Sequence, residues 1–211
     1  MRLTILGATG PTGRLLTDRA LAAGHEVTAL VRDPARLPIA HDRLRVVSGD
    51  VLDPGAVAEA VTGSEAVLSA LGTRERGPTT VYSAGTANVV KTMHAAGVRR
   101  LIAVTAAPVA EPGPDDTLPY RVLVRPLLRR SWPELYADMA RMEAELPGSG
   151  LDWTVLRPPR LTGGAARGRY RTAVGTTVRR GYFLRRADLA GAMLAVLDDR
   201  ATFGAAVGIG N

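Results

Sequence analysis

Short apolar runs alternate with helix-like segments over most of this sequence. The runs have the length and composition of strands and lie at residues 2–6, 27–31, 44–48, 66–70, 101–105 and 153–156. The segments between them repeat apolar residues at intervals of three and four and lie at 11–23, 54–61, 79–96 and 133–146. Strands that alternate with helices form parallel sheets through right-handed crossovers. The pattern therefore predicts an α/β fold with a doubly wound, mostly parallel sheet.

The later part of the chain continues this pattern less regularly. It predicts a strand at 170–174, a helix at 187–197 and a final strand at 205–209. A chain of 211 residues is long enough for one large core, so we expect a single domain spanning residues 1–211. The segment EPGPDDTLP, at 111–119, is rich in proline and follows the fifth strand. It is either a lid over a ligand or a plain connector.

A glycine cluster, LGATGPTGRLL, separates the first strand from the first helix. Its glycines are spaced Gly7-x-x-Gly10-x-x-Gly13, and Pro11 stands at the start of the helix. Such a loop lets the backbone approach a ligand, and the helix that follows directs free N–H groups and its positive dipole end at that ligand. Thr9 and Thr12 add hydroxyl groups. The cluster predicts a pyrophosphate site of the dinucleotide-binding type, one residue longer at the first gap than the commonest fingerprint.

Two arginines follow the second strand, where a dinucleotide places its adenosine ribose. An NAD-binding protein is expected to carry an acidic residue there, but this chain has Arg32 and, four residues later, Arg36. Guanidinium groups suit a 2′-phosphate, so the sequence favours NADPH over NADH. Asp33 either serves a ribose or caps the turn.

The ends of the third and fourth strands carry further ligand-like turns. Asp50 and the backbone of Val51 are predicted to meet the adenine, although Asp50 could instead cap the next helix. Residues at the end of the fourth strand are predicted to cover the middle of the cofactor: Leu71, Gly72, Thr73 and Arg74. A solvent-facing loop charge is the alternative interpretation of Arg74.

Together, GATGPTGR, LVRDPARL, GDVLDP, LGTRERGPTT and LDWTVLRPPRLT resemble the NAD(P)H-binding atypical short-chain dehydrogenase/reductase group, and within it the biliverdin-IX beta reductase/flavin reductase branch. The resemblance is close over residues 1–107, looser over 136–197 and weak over 108–132. It implies a Rossmann-like fold with a cofactor-binding half (1–107) and a substrate-side half (108–211). It also implies that NADPH contacts the glycine loop, Arg32, Arg36 and the strand-end residues named above.

The chain departs from that branch at catalytic positions. Ala106 stands where the branch has a serine, and Arg160 stands where it has a histidine after a Pro-Pro pair. The Tyr-x-x-x-Lys pair of ordinary short-chain dehydrogenases is absent too, because Tyr82 and Tyr136 are followed four residues later by threonine and alanine. Ordinary alcohol dehydrogenation is therefore disfavoured. We expect Ala106 and Tyr136 to face the substrate.

Composition excludes several other classes. The chain has no cysteine and only three histidines, without metal-ligand spacing, so we expect no metal site. No run is long enough to span a membrane and no secretory signal is present, so we expect a cytoplasmic protein without a membrane partner. The net charge of +7 comes almost wholly from arginine; nine arginines and no acid lie between residues 157 and 186. They form a solvated basic face or attract an anionic ligand.

Three functions remain. The first is an NADPH-dependent reductase that transfers a hydride to a small, planar, electron-poor acceptor such as a flavin, quinone or tetrapyrrole. Thr105 would orient the nicotinamide or a water, and Arg160 would offset negative charge on the acceptor; a strand-end threonine and a surface charge are the alternatives. The second is a non-catalytic NADP(H)-binding sensor or scaffold. Nucleic-acid binding ranks last, because few aromatic residues interleave the basic segment.

Overall fold

The computed structural model describes residues 1–73, 77–111, 113 and 116–211. Its strands are β1 Arg2–Leu6, β2 Glu26–Val31, β3 Leu44–Ser48, β4 Ala66–Ser69, β5 Arg100–Val104, β6 Asp152–Arg157, β7 Arg160–Thr162, β8 Arg171–Val174, β9 Phe183–Arg185 and β10 Ala205–Gly210. Its α-helices are α1 Pro11–Ala22, α2 Pro54–Val61, α3 Ser83–Ala96, α4 Arg125–Ser131, α5 Pro133–Glu145 and α6 Arg186–Ala195. A π-helical segment, Tyr120–Val124, leads directly into α4.

The described strands form one eight-stranded sheet in the order β3-β2-β1-β4-β5-β6-β10-β8. All neighbours in it are parallel except β8, which pairs antiparallel with β10 at one edge. The chain builds outward from β1 to β3 and then returns to place β4 on the other side of β1. The strand order therefore reverses between β1 and β4, which is where open α/β sheets bind their ligands. This architecture confirms the predicted doubly wound fold.

The two faces of the sheet are buried under different helices. On one face α1 and α6 pack against each other and against side chains such as Leu3 and Ile5 of β1. On the other face α2, α3 and α5 cover Leu6 and its neighbours. Because alternate side chains of a strand point to opposite faces, the apolar composition of β1 serves both cores.

A buried guanidinium ties β5 to the end of α6. Arg100 donates to the carbonyl oxygens of Val196 and Leu197, and its guanidinium lies 4.2 Å from the ring centroid of Phe203. Burial lowers the pKa of Arg100 to about 10, although the nearby acids, Asp152 among them, act in the opposite direction. Carbonyl groups that α6 leaves unsatisfied at its C-terminus are thus bonded by a residue from the centre of the sheet.

The third helix starts later than the sequence predicts. The prediction began at residue 79, whereas α3 begins at Ser83. Asp138 of α5 is fully buried, and its carboxylate accepts hydrogen bonds from the backbone amides of Tyr82 and Ser83 and from the Ser83 hydroxyl. A carboxylate at a helix N-terminus satisfies free amides and favours the helix dipole. The helix start is therefore set by a side chain from another helix, which local periodicity does not reveal.

Some elements were not predicted at all. The strands β7 and β9 pair in parallel as a separate two-stranded sheet, with Leu161 opposite Leu184. The π-helical segment and α4 occupy residues 120–131, yet several of their apolar side chains, such as Val122 and Leu127, are exposed. Neither region has the burial periodicity that identifies a helix or a core strand. No helix in the described part of the chain is both long and apolar enough to cross a membrane.

Candidate functional site

The loop after β1 makes a tight turn that only glycine accommodates. Gly7 has a φ of +75°, and a Cβ atom on it would lie 2.5 Å from the carbonyl oxygen of Ala70, at the end of β4. A Cβ atom on Gly13 would lie 2.1 Å from the carbonyl oxygen of Gly7. The amide of Gly10 donates to that same oxygen at 3.0 Å. The glycines therefore pack the loop against β4 and against the first turn of α1.

The start of α1 has donors to offer a ligand. Its N-cap residue is Gly10, which has no side chain to cap the helix, and Pro11 follows as the first helical residue. Without a side-chain cap, the first-turn amides of Thr12 and Gly13 are available to an external anion. The loop and the helix start thus form the arrangement that binds phosphate groups in dinucleotide-binding proteins.

A cleft of about 550 Å³ opens at this point, along the carboxyl ends of the central strands. Most of the predicted cofactor residues line it: Gly7, Thr9, Gly10, Pro11, Thr12, Arg32, Arg36, Asp50, Val51, Leu71, Gly72 and Thr73. Gly13 does not line the cleft; it lies beneath the loop, where it packs against Gly7. Arg74 lies outside the described residues. The structure therefore brings together residues that are up to 66 positions apart in the chain, from Gly7 to Thr73.

One end of the cleft carries two exposed guanidinium groups. The Nε atom of Arg32 is 4.0 Å from a carboxylate oxygen of Asp50, and these two side chains are 71% and 40% exposed. The Arg36 guanidinium makes no hydrogen bond or ion pair with any described residue. Asp33 does not line the cleft; its carboxylate accepts from the Ala35 amide at 3.1 Å and caps a short 3-10 turn. Of the two alternatives for Asp33, the structure supports the cap.

Asp50 also has a local role. One of its oxygens accepts from the amide of Leu52 at 2.9 Å and holds the turn after β3. The cap of α2 is instead Asp53, which accepts from Gly55 at 2.9 Å. Asp50 therefore does not cap that helix, and it remains among the residues that line the cleft.

Tyr82 lines the middle of the cleft, although it does not belong to a Tyr-x-x-x-Lys pair. Tyr82 is buried, and its hydroxyl oxygen accepts a hydrogen bond from the backbone amide of Thr73. Burial, reinforced by the charge of Asp138, raises the pKa of Tyr82 to about 12 despite that hydrogen bond. The phenol is therefore protonated at neutral pH and can donate but not act as a base.

The other end of the cleft lies at the carboxyl end of β5. It is lined by Val104, Thr105, Met139, Leu161 and Arg186. Thr105 is buried, and its hydroxyl donates to Oε1 of Glu143 at 2.5 Å. Glu143 is in turn paired with Arg157, which contacts both carboxylate oxygens. Because its proton is committed to Glu143, the Thr105 oxygen presents acceptor lone pairs to a ligand.

The other residues predicted near the substrate do not line the cleft. Arg160 is exposed at the start of β7. Ala106 packs against the core on the α5 side, and Tyr136 is half-buried in α5, where burial raises its pKa. The Tyr136 phenol lies close enough to Tyr82 to contribute to the raised pKa of Tyr82, after burial and Asp138.

Sequence reasoning missed several lining residues. Val81 and Met139 come from segments that no motif marks. Leu161 lies in the segment LDWTVLRPPRLT and Arg186 in the basic segment 157–186, but neither residue was singled out, and they reach the cleft through the β7–β9 pair. Glu143 does not line the cleft, but it accepts the hydrogen bond that the Thr105 hydroxyl donates. Only Tyr82 had a usable signal, since it directly precedes the helix that follows the loop at the end of β4. Among the described residues, no cluster of three or more acidic or histidine side chains could hold a metal ion.

The fold and the cleft together define a Rossmann-like dinucleotide-binding protein. The chain belongs to the NAD(P)H-binding family, whose sequence profile matches residues 7–200.

Known relatives support this assignment. The chain is 36% identical over 179 residues to a 3-diazoavenalumate denitrifying reductase from a Streptomyces species, covering 77% of this chain and 57% of the relative. It is 30% identical over 156 residues to a (4-alkanoyl-5-oxo-2,5-dihydrofuran-3-yl)methyl phosphate reductase from Streptomyces griseus, covering 74% and 46%. The chain thus spans only about half the length of these curated relatives.

Solved structures share the fold. A short-chain dehydrogenase/reductase from Veillonella parvula, in complex with NADP, superimposes with a TM-score of 0.81 at 24% identity, covering all of this chain and 94% of that one. An anaerobillin reductase from Escherichia coli O157:H7 gives 0.79 at 23% identity, covering 99% and 97%.

Proposed function

We propose that the protein is an NADPH-dependent reductase that transfers a hydride to a planar, electron-poor acceptor such as a flavin, a quinone or a linear tetrapyrrole. The observation that carries this proposal is the cleft at the β1–β4 reversal, which joins a phosphate-binding loop to two exposed arginines at one end and to a buried hydroxyl at the other. The two Streptomyces relatives are themselves named reductases.

The first half of the chain would hold the cofactor. In this proposal the loop amides and the start of α1 bind the diphosphate, and Arg32 and Arg36 bind the 2′-phosphate, which favours NADPH over NADH. The turns at Asp50–Val51 and Leu71–Thr73 would enclose the adenine and the middle of the cofactor, and Arg74 would extend the second of these turns. The Veillonella relative with bound NADP is consistent with this arrangement.

The second half would build the acceptor side. When bound, the cofactor supplies the hydride, and the acceptor takes its proton from solvent. Thr105 would accept a hydrogen bond from the nicotinamide amide or from a water, because Glu143 already takes its own proton. Ala106 and Tyr136 would support this wall from behind. Arg160 would offset negative charge on the acceptor. Because Arg160 is exposed at the start of β7, this role has to be tested by substitution.

The test is turnover by the purified protein. Oxidation of NADPH is followed by its absorbance with FMN and a set of quinones, in wild type and in Gly10→Val. The valine side chain would occupy the space next to Gly7 that the diphosphate needs, since a Cβ atom at Gly10 already lies 3.2 Å from the Gly7 oxygen. We expect wild type to turn over at least one acceptor and Gly10→Val to lose NADPH binding. Gly148→Ala is the control, because its Cβ atom would meet nothing within 4 Å.

A non-catalytic NADP(H) sensor is the second candidate, and one observation favours it. The described residues that line the cleft include no lysine or histidine, and their one tyrosine, Tyr82, is held protonated. Tight NADPH binding without turnover of any acceptor would favour the sensor. A cytoplasmic location belongs to both proposals and is tested by cell fractionation.

A further inference from the structure

A half-buried guanidinium group in the cleft, that of Arg186, has no counter-ion among the described residues. Arg186 is the first residue of α6, is half-buried and lines the cleft. Its side chain makes no hydrogen bond or ion pair with any described residue. Two other partly buried arginines do have an acidic partner: Arg157 is paired with Glu143, and Arg125 with Glu111. A partly desolvated guanidinium without a partner is unfavourable, and an anion that bound beside it would relieve that cost.

The described residues that line the cleft supply no anion beside Arg186. Asp50 is the one carboxylate among the described lining residues, and it belongs to the end of β3, next to Arg32. Glu143 is the acid close to Thr105, but its two oxygens already accept from Thr105 and Arg157. No acid among the described residues is therefore ion-paired with Arg186, and Asp188 in the same turn of α6 accepts from the amides of Arg167 and Gly168 instead.

The strand pair β7–β9 assigns Arg186 to the acceptor side of the cleft. Thr162 of β7 pairs with Arg185, the residue directly before Arg186. The chain that leads from β6 into β7 is bonded to the end of β5, because the Thr105 amide donates to Leu156 and the Ala107 amide donates to Pro158. Arg186 thus belongs to the wall that the second half of the chain builds beyond β5 and β6, and Leu161 of the same wall also lines the cleft.

We propose that Arg186 binds an anionic group of the acceptor, a carboxylate or a phosphate, and so makes the reductase prefer anionic planar acceptors. This inference rests on the proposed function and names its substrate class. Guanidinium groups bind both anions through paired hydrogen bonds. The diphosphate of the cofactor has the same chemistry, but it already has the glycine loop and the start of α1 as donors.

The test compares two acceptors that share one ring system. FMN and riboflavin carry the same isoalloxazine ring, and only FMN carries a phosphate. The variants are Arg186→Gln, Arg186→Lys and Arg169→Gln. Arg169 controls for loss of charge, because it is exposed, lies outside the cleft lining and makes no side-chain hydrogen bond or ion pair with any described residue. NADPH affinity, KM for each flavin, and flavin binding to the NADP⁺-saturated protein are measured for each variant, with melting temperature as the folding check.

We expect wild type and Arg169→Gln to prefer FMN. Arg186→Gln should raise the KM and the Kd for FMN by about 10- to 100-fold, the range for a hydrogen bond to a charged group, while riboflavin and NADPH stay within about twofold. Arg186→Lys should keep part of the FMN preference, since it keeps the charge.

Other outcomes overturn the proposal in distinguishable ways. Equal losses for FMN and riboflavin, no preference for FMN in wild type, or no binding of either flavin beside NADP⁺ would each overturn the role of Arg186 while leaving cofactor binding intact. A weaker NADPH affinity in Arg186→Gln would assign the residue to the diphosphate instead. Absence of NADPH binding in wild type would reject the proposed function itself.

Discussion

At the scale of single residues, partners decide what each charged group can do. The guanidinium groups of Arg36 and Arg186 have no described partner and line the cleft, whereas the side chains of Arg100, Arg157 and Asp138 are engaged in bonds that hold elements together. The unpaired groups are therefore the candidates for binding, and the paired ones are candidates for stability.

The first residue-scale prediction concerns cofactor preference. Arg36→Ala should raise the Kd for NADPH about tenfold, because one charge-assisted hydrogen bond to the 2′-phosphate is lost. The Kd for NADH should not change, since NADH lacks that phosphate. Calorimetric titration of both nucleotides measures this. The control is Arg45→Ala, which removes an exposed arginine outside the cleft that pairs with Glu59. Equal weakening for both nucleotides would contradict the assignment.

The second residue-scale prediction concerns the pair behind Thr105. Glu143→Ala leaves the largely buried Arg157 without its partner, so the free energy of unfolding should fall by about 3 kcal/mol. Glu59→Ala breaks an exposed pair, whose side chains are 57% and 59% exposed, and should cost less than about 1 kcal/mol. Urea denaturation of the three proteins gives the comparison. If both variants lost a similar free energy of unfolding, burial of the Glu143–Arg157 pair would make no difference to stability.

The third residue-scale prediction concerns pH. The pKa of Tyr82 is about 12 in the folded protein and about 10 in an unfolded chain. Its contribution to stability is therefore complete below pH 10 and is lost as the pH rises from 10 towards 12. Tyr82→Phe removes this dependence, so between about pH 9 and pH 11 its stability should fall by about 1 kcal/mol less than that of wild type. Denaturation at both pH values tests it, and parallel losses would argue against a buried neutral phenol.

At the scale of elements, the contact between the glycine loop and α1 matters most. β1, its loop and the first turn of α1 act as one unit, because Gly13 fits directly under the carbonyl of Gly7. The loop keeps its shape through backbone packing, so its amides are positioned before any ligand arrives.

One substitution tests this unit. Gly13→Ala places a Cβ atom 2.1 Å from a backbone oxygen, which the loop can avoid only by moving. We expect a loss of about 2 kcal/mol or more in stability together with weaker NADPH binding. Gly148→Ala, which meets no atom within 4 Å, should be neutral or slightly stabilising. Thermal melts with and without NADPH measure both effects; an unchanged Gly13→Ala protein would refute the packing argument.

At the scale of the whole molecule, the two halves share one sheet and one core. β5 of the first half pairs with β6 of the second. α6, near the end of the chain, packs against α1, near its start. Arg100 adds a bond from β5 to the end of α6. We therefore expect the cofactor side and the acceptor side to unfold together.

Leu189 in α6 tests this coupling. It is fully buried in the core that α1 and α6 share, so Leu189→Ala should cost about 3 kcal/mol. Although the change lies in the second half of the chain, two unfolding midpoints should fall by the same amount. One is followed by loss of NADPH binding and the other by circular dichroism. Two separate transitions would show that the halves unfold independently.

The sequence by itself determined the alternation of strands and helices from β1 to β5, the glycine loop and the residues at the strand ends. Those features depend on local periodicity and on turns that only glycine makes, and the carboxyl ends of parallel strands meet at one edge whatever the details. For this reason most predicted cofactor residues line the same cleft.

Only the tertiary structure decided where α3 begins, which partner Thr105 has, and that Arg186 lines the cleft. In each case the deciding contact joins distant parts of the chain: Asp138 reaches Ser83, Glu143 reaches Thr105, and the β7–β9 pair carries Arg186 to the acceptor side. Such contacts leave no periodic trace in the sequence, because they depend on which helices and strands become neighbours in the folded chain.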